Sequence, residues 1–365
     1  MKLVIFGLTI SSSWGNGHAT LWRGLCRALS RRGHRVVFFE RDVPYYASHR
    51  DLADPGGVKL HLYQDWPGVQ SLARSELSNA DVAMVTSYCP DGVTASDLVL
   101  ASKARLKTFY DLDTPVTLDC LRQGKPVNYL SPRGLGDFDL VLSYTGGAAL
   151  DELKAQLGAR RVAPLYGSVD PETHRPVAPA PSYAADLSYL GTYAEDRQAA
   201  LNTLFIEPAR HLPCYRFVIG GAMYPEHFPW TGNIYFVRHL PPAEHPAFFS
   251  SSRLTLNVTR AAMANMGYCP SGRLFEAAAC GVPIISDWWK GLDDFFQAGV
   301  EILVARTTRD VMQALEIPRA QLAKIGRAAR ERTLACHTAE QRAQELEQAL
   351  DAALHPAHQT QLMEV

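Results

Sequence analysis

Short apolar runs rich in β-branched residues alternate with helix-length segments along nearly the whole chain. Runs such as L-V-I-F-G at 3–7, V-V-F-F at 36–39 and V-P-I-I-S at 282–286 lack polar alternation, so each strand is expected to be buried on both faces. Strands and helices alternating in this way imply parallel sheets covered by helices on both sides. Further strands are expected at 58–63, 81–85, 107–110, 139–143 and 162–165. A second series follows at 187–190, 216–219, 234–237, 254–258 and 302–305. Helices are expected between them, among them one at 196–211.

Between the two series lies G-S-V-D-P-E-T-H-R-P-V-A-P-A-P-S, whose prolines and missing apolar period predict a stiff, exposed connection. The expected organisation is a Rossmann-like domain at 1–166, a linker at 167–182, a second Rossmann-like domain at 183–337 and a last helix at 338–365. That helix carries Ala343, Leu346, Leu350, Ala353 and Leu354 on one side. A chain of 365 residues suits two domains of about 150–200 residues each.

Composition narrows the function classes. Apolar content of 47% with 20% charge is that of a globular protein, and a net charge of −1 gives no general attraction to nucleic acid or anionic membrane. No stretch reaches the roughly 18 apolar residues that span a bilayer. The first apolar run is too short for a signal sequence. Seven cysteines without a C-x-x-C pair predict thiols in a reducing cytoplasm. No Cys/His pair has zinc spacing, and no metal is expected.

At 271–287, S-G-R-L-F-E-A-A-A-C-G-V-P-I-I-S-D joins a short helix to a buried strand. Its Ser-Gly-Arg entry leaves backbone N–H groups and a guanidinium at the helix N-terminus, where a phosphate would sit. Glu276, one turn further in, could accept hydrogen bonds from a ribose diol; the plainer alternative is a helix–strand unit with a solvated Glu. F-E-A-x-A-C-G-x-P-I-I closely resembles the donor-site motif of GT-B glycosyltransferases, and the full wording is most similar to the spore-maturation-protein-type (CgeB-like) branch. Val169, Asp170 and Pro176 resemble the V-D-x-x-x-x-x-P segment that joins the two halves of many such enzymes.

The resemblance implies two domains facing across a cleft, with the C-terminal helix crossing back to the first. It places Ser271, Gly272 and Arg273 on a diphosphate and Glu276 on the donor ribose. The backbone of His239 and Leu240 would meet the base, and Gly191, Thr192 and Arg197 would form a phosphate-binding turn. Arg260, with Arg273, would stabilise the leaving diphosphate in place of a metal. Many retaining relatives carry a second Glu where this chain has Tyr268, which leaves the sugar hydroxyls without an assigned partner. Retention is still favoured over inversion. No cofactor is implied; the co-substrate is a UDP- or GDP-linked sugar.

The first domain offers the other candidates. Gly15-Asn16-Gly17 lets the backbone bend close to a ligand, against the alternative of a mobile surface loop. A dinucleotide fingerprint ending at Glu40 does not fit, because Gly15 lies well beyond Gly7 rather than next to it. His18, at the start of the first helix, is a candidate general base, or a capping residue. Asp111 and Asp113 would point the same way if extended. They could supply the acceptor base, hold a metal as the D-x-D of GT-A enzymes does, or cap the next helix.

The expected function is a metal-independent glycosyltransferase acting on a hydroxyl acceptor: a glycan, a lipid-linked group, a small molecule or a protein. The rivals are a nucleotide-sugar epimerase on the same fold and a non-catalytic sugar-nucleotide-binding or coat-type protein.

Overall fold

One sheet holds seven parallel strands: β1 (Lys2–Gly7), β2 (Arg35–Arg41), β3 (Val58–Tyr63), β4 (Val82–Thr86), β5 (Leu106–Asp111), β6 (Leu140–Ser143) and β7 (Val162–Pro164). Their order is β3-β2-β1-β4-β5-β6-β7, so the direction of sheet growth reverses between β1 and β4. β1 pairs with β2 from Lys2↔Arg35 to Gly7↔Glu40 and with β4 from Leu3↔Val82 to Phe6↔Val85. Every residue of β1 and β4 is buried, as their unbroken apolar runs require. The second sheet holds β8 (Ala185–Leu190), β9 (Phe217–Gly221), β10 (Ile234–Arg238), β11 (Ser252–Asn257), β12 (Ile284–Ser286) and β13 (Leu303–Val304). Its order, β10-β9-β8-β11-β12-β13, reverses between β8 and β11. Ligands of open parallel sheets bind beyond the carboxyl ends of strands at such reversals.

The structure is a computed structural model that describes residues 1–52 and 54–355. The chain divides into two units, Met1–Tyr166 joined by the chain from Ala339 on, and Gly167–Thr338. In the first, the last helix, Ala339–Leu354, buries Ala343, Leu346 and Leu350. Arg32, just beyond the helix His18–Arg31, pairs with Glu340 at 2.7 Å and Glu347 at 2.6 Å, and His34 Nε2 lies 2.6 Å from Glu347. Residues 356–365, expected to continue this helix, lie outside the described residues.

The structure refines two local expectations. The proline-rich segment is exposed over most of 175–182, as expected, but its start is covered: Val169 bridges to Thr338, and His174 is 1% exposed. Its Val177 and Ala180 N–H groups donate to the hydroxyls of Ser250 and Ser251. Prolines remove donors, and the N–H groups that remain are met by side chains. The helix expected at 196–211 is present as a continuous helical run, Gln198–Leu201, a π-helical turn at Asn202–Ile206, and Glu207–His211. Pro208 has no N–H for the carbonyl four residues back, so the turn before it widens. The short helices Pro44–Ala47 and Ala261–Met266 were not foreshadowed by any apolar period. The capping box expected at Thr307 is present, with Asp310 closing it.

Candidate functional site

In the second unit, bare backbone follows β8 and β9. The Gly191 N–H donates to Gly220 O at 2.8 Å. A Cβ on Gly221 would lie 2.1 Å from the Gly191 oxygen, and one on Gly191 would lie 2.8 Å from Tyr189 Oη and 3.1 Å from Arg273 Nη2. Only glycine permits this approach, which leaves the Arg273 guanidinium against main chain. Arg273 projects from the first turn of the helix Gly272–Ala279, lies 5.3 Å from the Tyr189 ring centroid, and donates through Nη1 to Asn257 Oδ1 at 3.1 Å. Burial pushes its pKa down, with Arg197 adding to that and Tyr189 and Glu276 opposing. An arginine stays charged even so. Tyr189 Oη and Arg197 Nε are buried without hydrogen-bond partners, while Arg197 Nη1 holds Thr192 O at 3.1 Å.

The remaining residues expected on the donor side divide. Ser271 is the N-cap of the same helix, in extended geometry and with no capping bond from its side chain, so the helix's first N–H groups have no partner from it. Glu276 lies one turn in, its side chain 12% exposed and its Oε2 3.7 Å from His245 Nδ1. His239 takes a left-handed φ of 48°, and its N–H donates to Gly221 O at 2.7 Å. The neighbouring Leu240 carbonyl accepts from His245 Nε2 at 3.3 Å. Burial holds both His245 and His174 down to about 4. Arg260 is already engaged: its Nε donates to Asp196 Oδ2 at 3.0 Å and ties together the loops after β8 and β11. Among the described residues, His174, His245 and Glu276 are grouped so that they could hold a metal ion.

Two neighbours of the motif serve structure. The Asp287 carboxylate accepts from Thr259 N and Oγ1 at 3.0–3.1 Å, and burial pushes its pKa up. Trp289 is core, whereas Trp288 is exposed with Arg306 4.7 Å from its ring centroid.

In the first unit, the loop after β1 is strapped down rather than mobile. The buried Glu40 carboxylate accepts from Thr9 Oγ1 at 2.7 Å, Ile10 N at 2.8 Å and Ser11 N at 3.1 Å. Asp51 accepts from Ser13 N and pairs with Arg23 at 2.6 Å. Gly15 turns the chain at φ +60°, and Asn16 Oδ1 accepts the His18 N–H at 3.1 Å, one residue beyond Gly17. His18 Nε2 then lies 3.6 Å from Asp113 Oδ1. Tyr88, from the loop after β4, hydrogen-bonds Asp113 and lies 6.0 Å from the His18 ring, ring centre to ring centre. Its φ of +62° is strained for a tyrosine, as happens at functional sites.

Asp111 departs from expectation. It is fully buried and accepts the Asp113 N–H at 3.1 Å, and its Oδ2 has no partner. Burial pushes its pKa up to about 6, with the Asp113 N–H pulling the other way. The strand ends at Asp111 and the chain turns at 112–113, so strand alternation, on which a D-x-D pair rests, does not reach Asp113. Asp113 is the carboxylate that reaches His18. Sequence reasoning did not single out Tyr88, Tyr189, Asn257, His174 or His245. Asn257 gave one signal, a polar residue closing the apolar strand L-T-L-N.

Residues 197–348 match a family described as glycosyl transferase-like. No curated protein matches the chain in sequence. Sucrose-phosphate synthase from Thermosynechococcus elongatus aligns with TM-score 0.71 and 13% identity, over 98% of this chain and all of that one. HepE from Anabaena, solved with UDP-glucose, aligns with TM-score 0.69 and 13% identity over 96% of this chain and all of that one. An α-glucosyltransferase solved with UDP and a 13-mer DNA aligns with TM-score 0.69 and 12% identity, over 96% of this chain and 99% of that one. The fold is thus that of GT-B glycosyltransferases, two α/β units each built on an all-parallel sheet. No helix among the described residues is long and apolar enough to cross a membrane.

Proposed function

We propose that the chain transfers a sugar from a UDP-linked donor to a hydroxyl acceptor without a metal ion. The observation that carries this reading is the half-buried Arg273 guanidinium, held by the neutral amide of Asn257 against the backbone of Gly191. A cation partly taken from water and given a neutral partner is less well solvated, and an anion brought to it recovers that cost. A diphosphate suits the place, with Arg197 and the first N–H groups of the helix Gly272–Ala279 as further partners. Glu276 accepts from the ribose diol, and the main chain of His239 and Leu240 meets the base. UDP is preferred to GDP because HepE and the α-glucosyltransferase were solved with uridine nucleotides.

In this reading the second unit is the donor half and the first the acceptor half. His18, oriented by Asp113, takes the proton of the acceptor hydroxyl as its oxygen bonds to the anomeric carbon. The bond from that carbon to the diphosphate breaks, its electron pair leaves with UDP, and the fixed guanidinium stabilises the charge. A base paired with a leaving group in one displacement supports inversion, in place of the retention that the sequence favoured. A reducing cytoplasm belongs to the same reading, supported by seven free cysteines. The test is a panel of nucleotide sugars with EDTA present, read by release of nucleoside diphosphate and by NMR of the product anomer. Conversion without release makes the protein an epimerase, and binding without either makes it a coat-type protein. Activity lost to EDTA and restored by manganese removes metal independence.

A further inference from the structure

Sugar transfer as described leaves two imidazoles beside Glu276 without a task, His174 buried and His245 half-buried. His174 lies in the proline-rich segment, and His245 opens the helix His245–Ser250. His174 Nε2 is 3.4 Å from His245 Nδ1, and His245 Nδ1 is 3.7 Å from Glu276 Oε2. One ligand atom from each of the three residues lies within 4.8 Å of the others. A tetrahedral zinc ion, with bonds of about 2.0–2.1 Å, sets its ligand atoms about 3.4 Å apart, so two of the three spacings are already close.

The hydrogen bonds orient the lone pairs. His245 Nε2 must carry the proton it donates to Leu240 O, which in a neutral ring leaves Nδ1 bare towards Glu276 and His174. A backbone carbonyl on the far ring nitrogen is the usual support of a metal-bound histidine. Without a cation, that nitrogen accepts from His174 Nε2 at 3.4 Å, while the carboxylate oxygen faces it at 3.7 Å with no proton between them. His174 Nδ1 is buried without a partner, so the contact with His245 is the one hydrogen bond its ring makes here. Two imidazoles and one carboxylate suit zinc rather than calcium or magnesium, which prefer oxygen. Arg273 opposes a cation nearby, but its guanidinium is drawn to Asn257.

We propose that His174, His245 and Glu276 form a Zn²⁺ site, open at its fourth position, whose filling removes Glu276 from the donor ribose. The ion competes with the nucleotide for one carboxylate, which makes zinc an inhibitor. That consequence rests on Glu276 as ribose ligand; the site itself does not.

The probe is Zn²⁺ added to the full chain after EDTA treatment, in a Cys214→Ser background so that the exposed thiol does not compete. Calorimetry is expected to find one zinc per chain, and Co²⁺ to give the visible absorption of a tetrahedral site. Loss of an outer-shell partner costs about 10–100-fold in affinity, so His174→Gln and, separately, His245→Gln should each cost more than that. Thermal melts establish that each variant is folded. No binding by the parent, or unchanged binding in both variants, overturns the site. In the second arm, UDP affinity is measured with free zinc held by a metal buffer. It should fall as zinc rises in the parent and stay level in His174→Gln. UDP bound equally well at all zinc levels overturns the competition. UDP that fails to bind even without zinc sinks the donor reading instead, and the stoichiometry arm then decides the zinc site alone.

Discussion

Arg273 Nη1 donates to Asn257 Oδ1 at 3.1 Å, which joins the first turn of the helix Gly272–Ala279 to the last residue of β11. An amide at this place aims the guanidinium without neutralising it. A carboxylate of the same shape would aim it equally well and consume its charge.

Asn257→Asp is therefore expected to keep the fold and lose the ligand. The new carboxylate pairs with Arg273 and repels a diphosphate. A hydrogen bond to a charged group is worth about 1.5–3 kcal/mol, so UDP affinity should fall about 10–100-fold. Calorimetry with UDP checks this, alongside a melting curve. Undiminished UDP affinity in a folded variant would mean that Arg273 is not the phosphate ligand.

Glu40 tests the opposite kind of residue, one that shapes the site from a distance. Glu40→Ala leaves the buried Ile10 and Ser11 N–H groups without their carboxylate. Each unpaired buried group costs about 1–3 kcal/mol. A stability loss of about 2–5 kcal/mol in urea is expected, with faster amide exchange at Ile10 and Ser11 and lower turnover, while UDP affinity is kept. Protection of those two amides at the parent's level would show that Glu40 does not hold the loop.

Asp111 gives a pH signature. Its folded-state pKa of about 6 stands above the ordinary 3.8, so between those values the folded chain holds a proton that the unfolded chain has released. Stability then falls as pH rises through that window and levels off above it. The span corresponds to about 2–3 kcal/mol. Asp111→Asn should flatten this slope and be more stable than the parent at pH 8, with turnover largely kept because the carboxylate does not reach His18. Chemical denaturation from pH 4 to pH 8 measures it. An unaltered slope would assign the proton elsewhere.

These residues also mark how far the sequence could be read. Strands buried on both faces were legible because a run such as K-L-V-I-F-G has one physical solution, and the register Gly7↔Glu40 follows from it. Glu276 and Arg273 were legible as a local motif on one helix. Their partners were not. His174 and His245 stand 71 residues apart, and Tyr88 meets Asp113 only because β1, β4 and β5 are neighbours in the sheet. The alternation argued for Asp111 and Asp113 holds only while the chain is extended, and the strand ends at Asp111. Prolines signalled the irregular, mostly exposed backbone at 175–182 but not the cover over 167–169 and His174.

The His18–Asp113 pair makes the last expectation, one that separates chemistry from binding. Asp113 lies 3.6 Å from His18 Nε2 and also accepts from Tyr88, so it fixes the imidazole rather than serving as a second base. His18→Ala should reduce turnover by the roughly 10²–10⁴-fold typical of a general base, with UDP affinity unchanged. Asp113→Asn, which keeps the shape and removes the charge, should lose a large part of the same factor. Groups acting as one unit are not additive, so the double variant should be little worse than His18→Ala alone. Glu276→Ala should behave differently, weakening UDP by about 10-fold or more because the ribose bonds are lost before any chemistry. Turnover and UDP affinity are measured on all four variants. Near-normal turnover in both His18→Ala and Asp113→Asn would place the base elsewhere in the chain, and loss of UDP binding in both would move the donor site into the first unit.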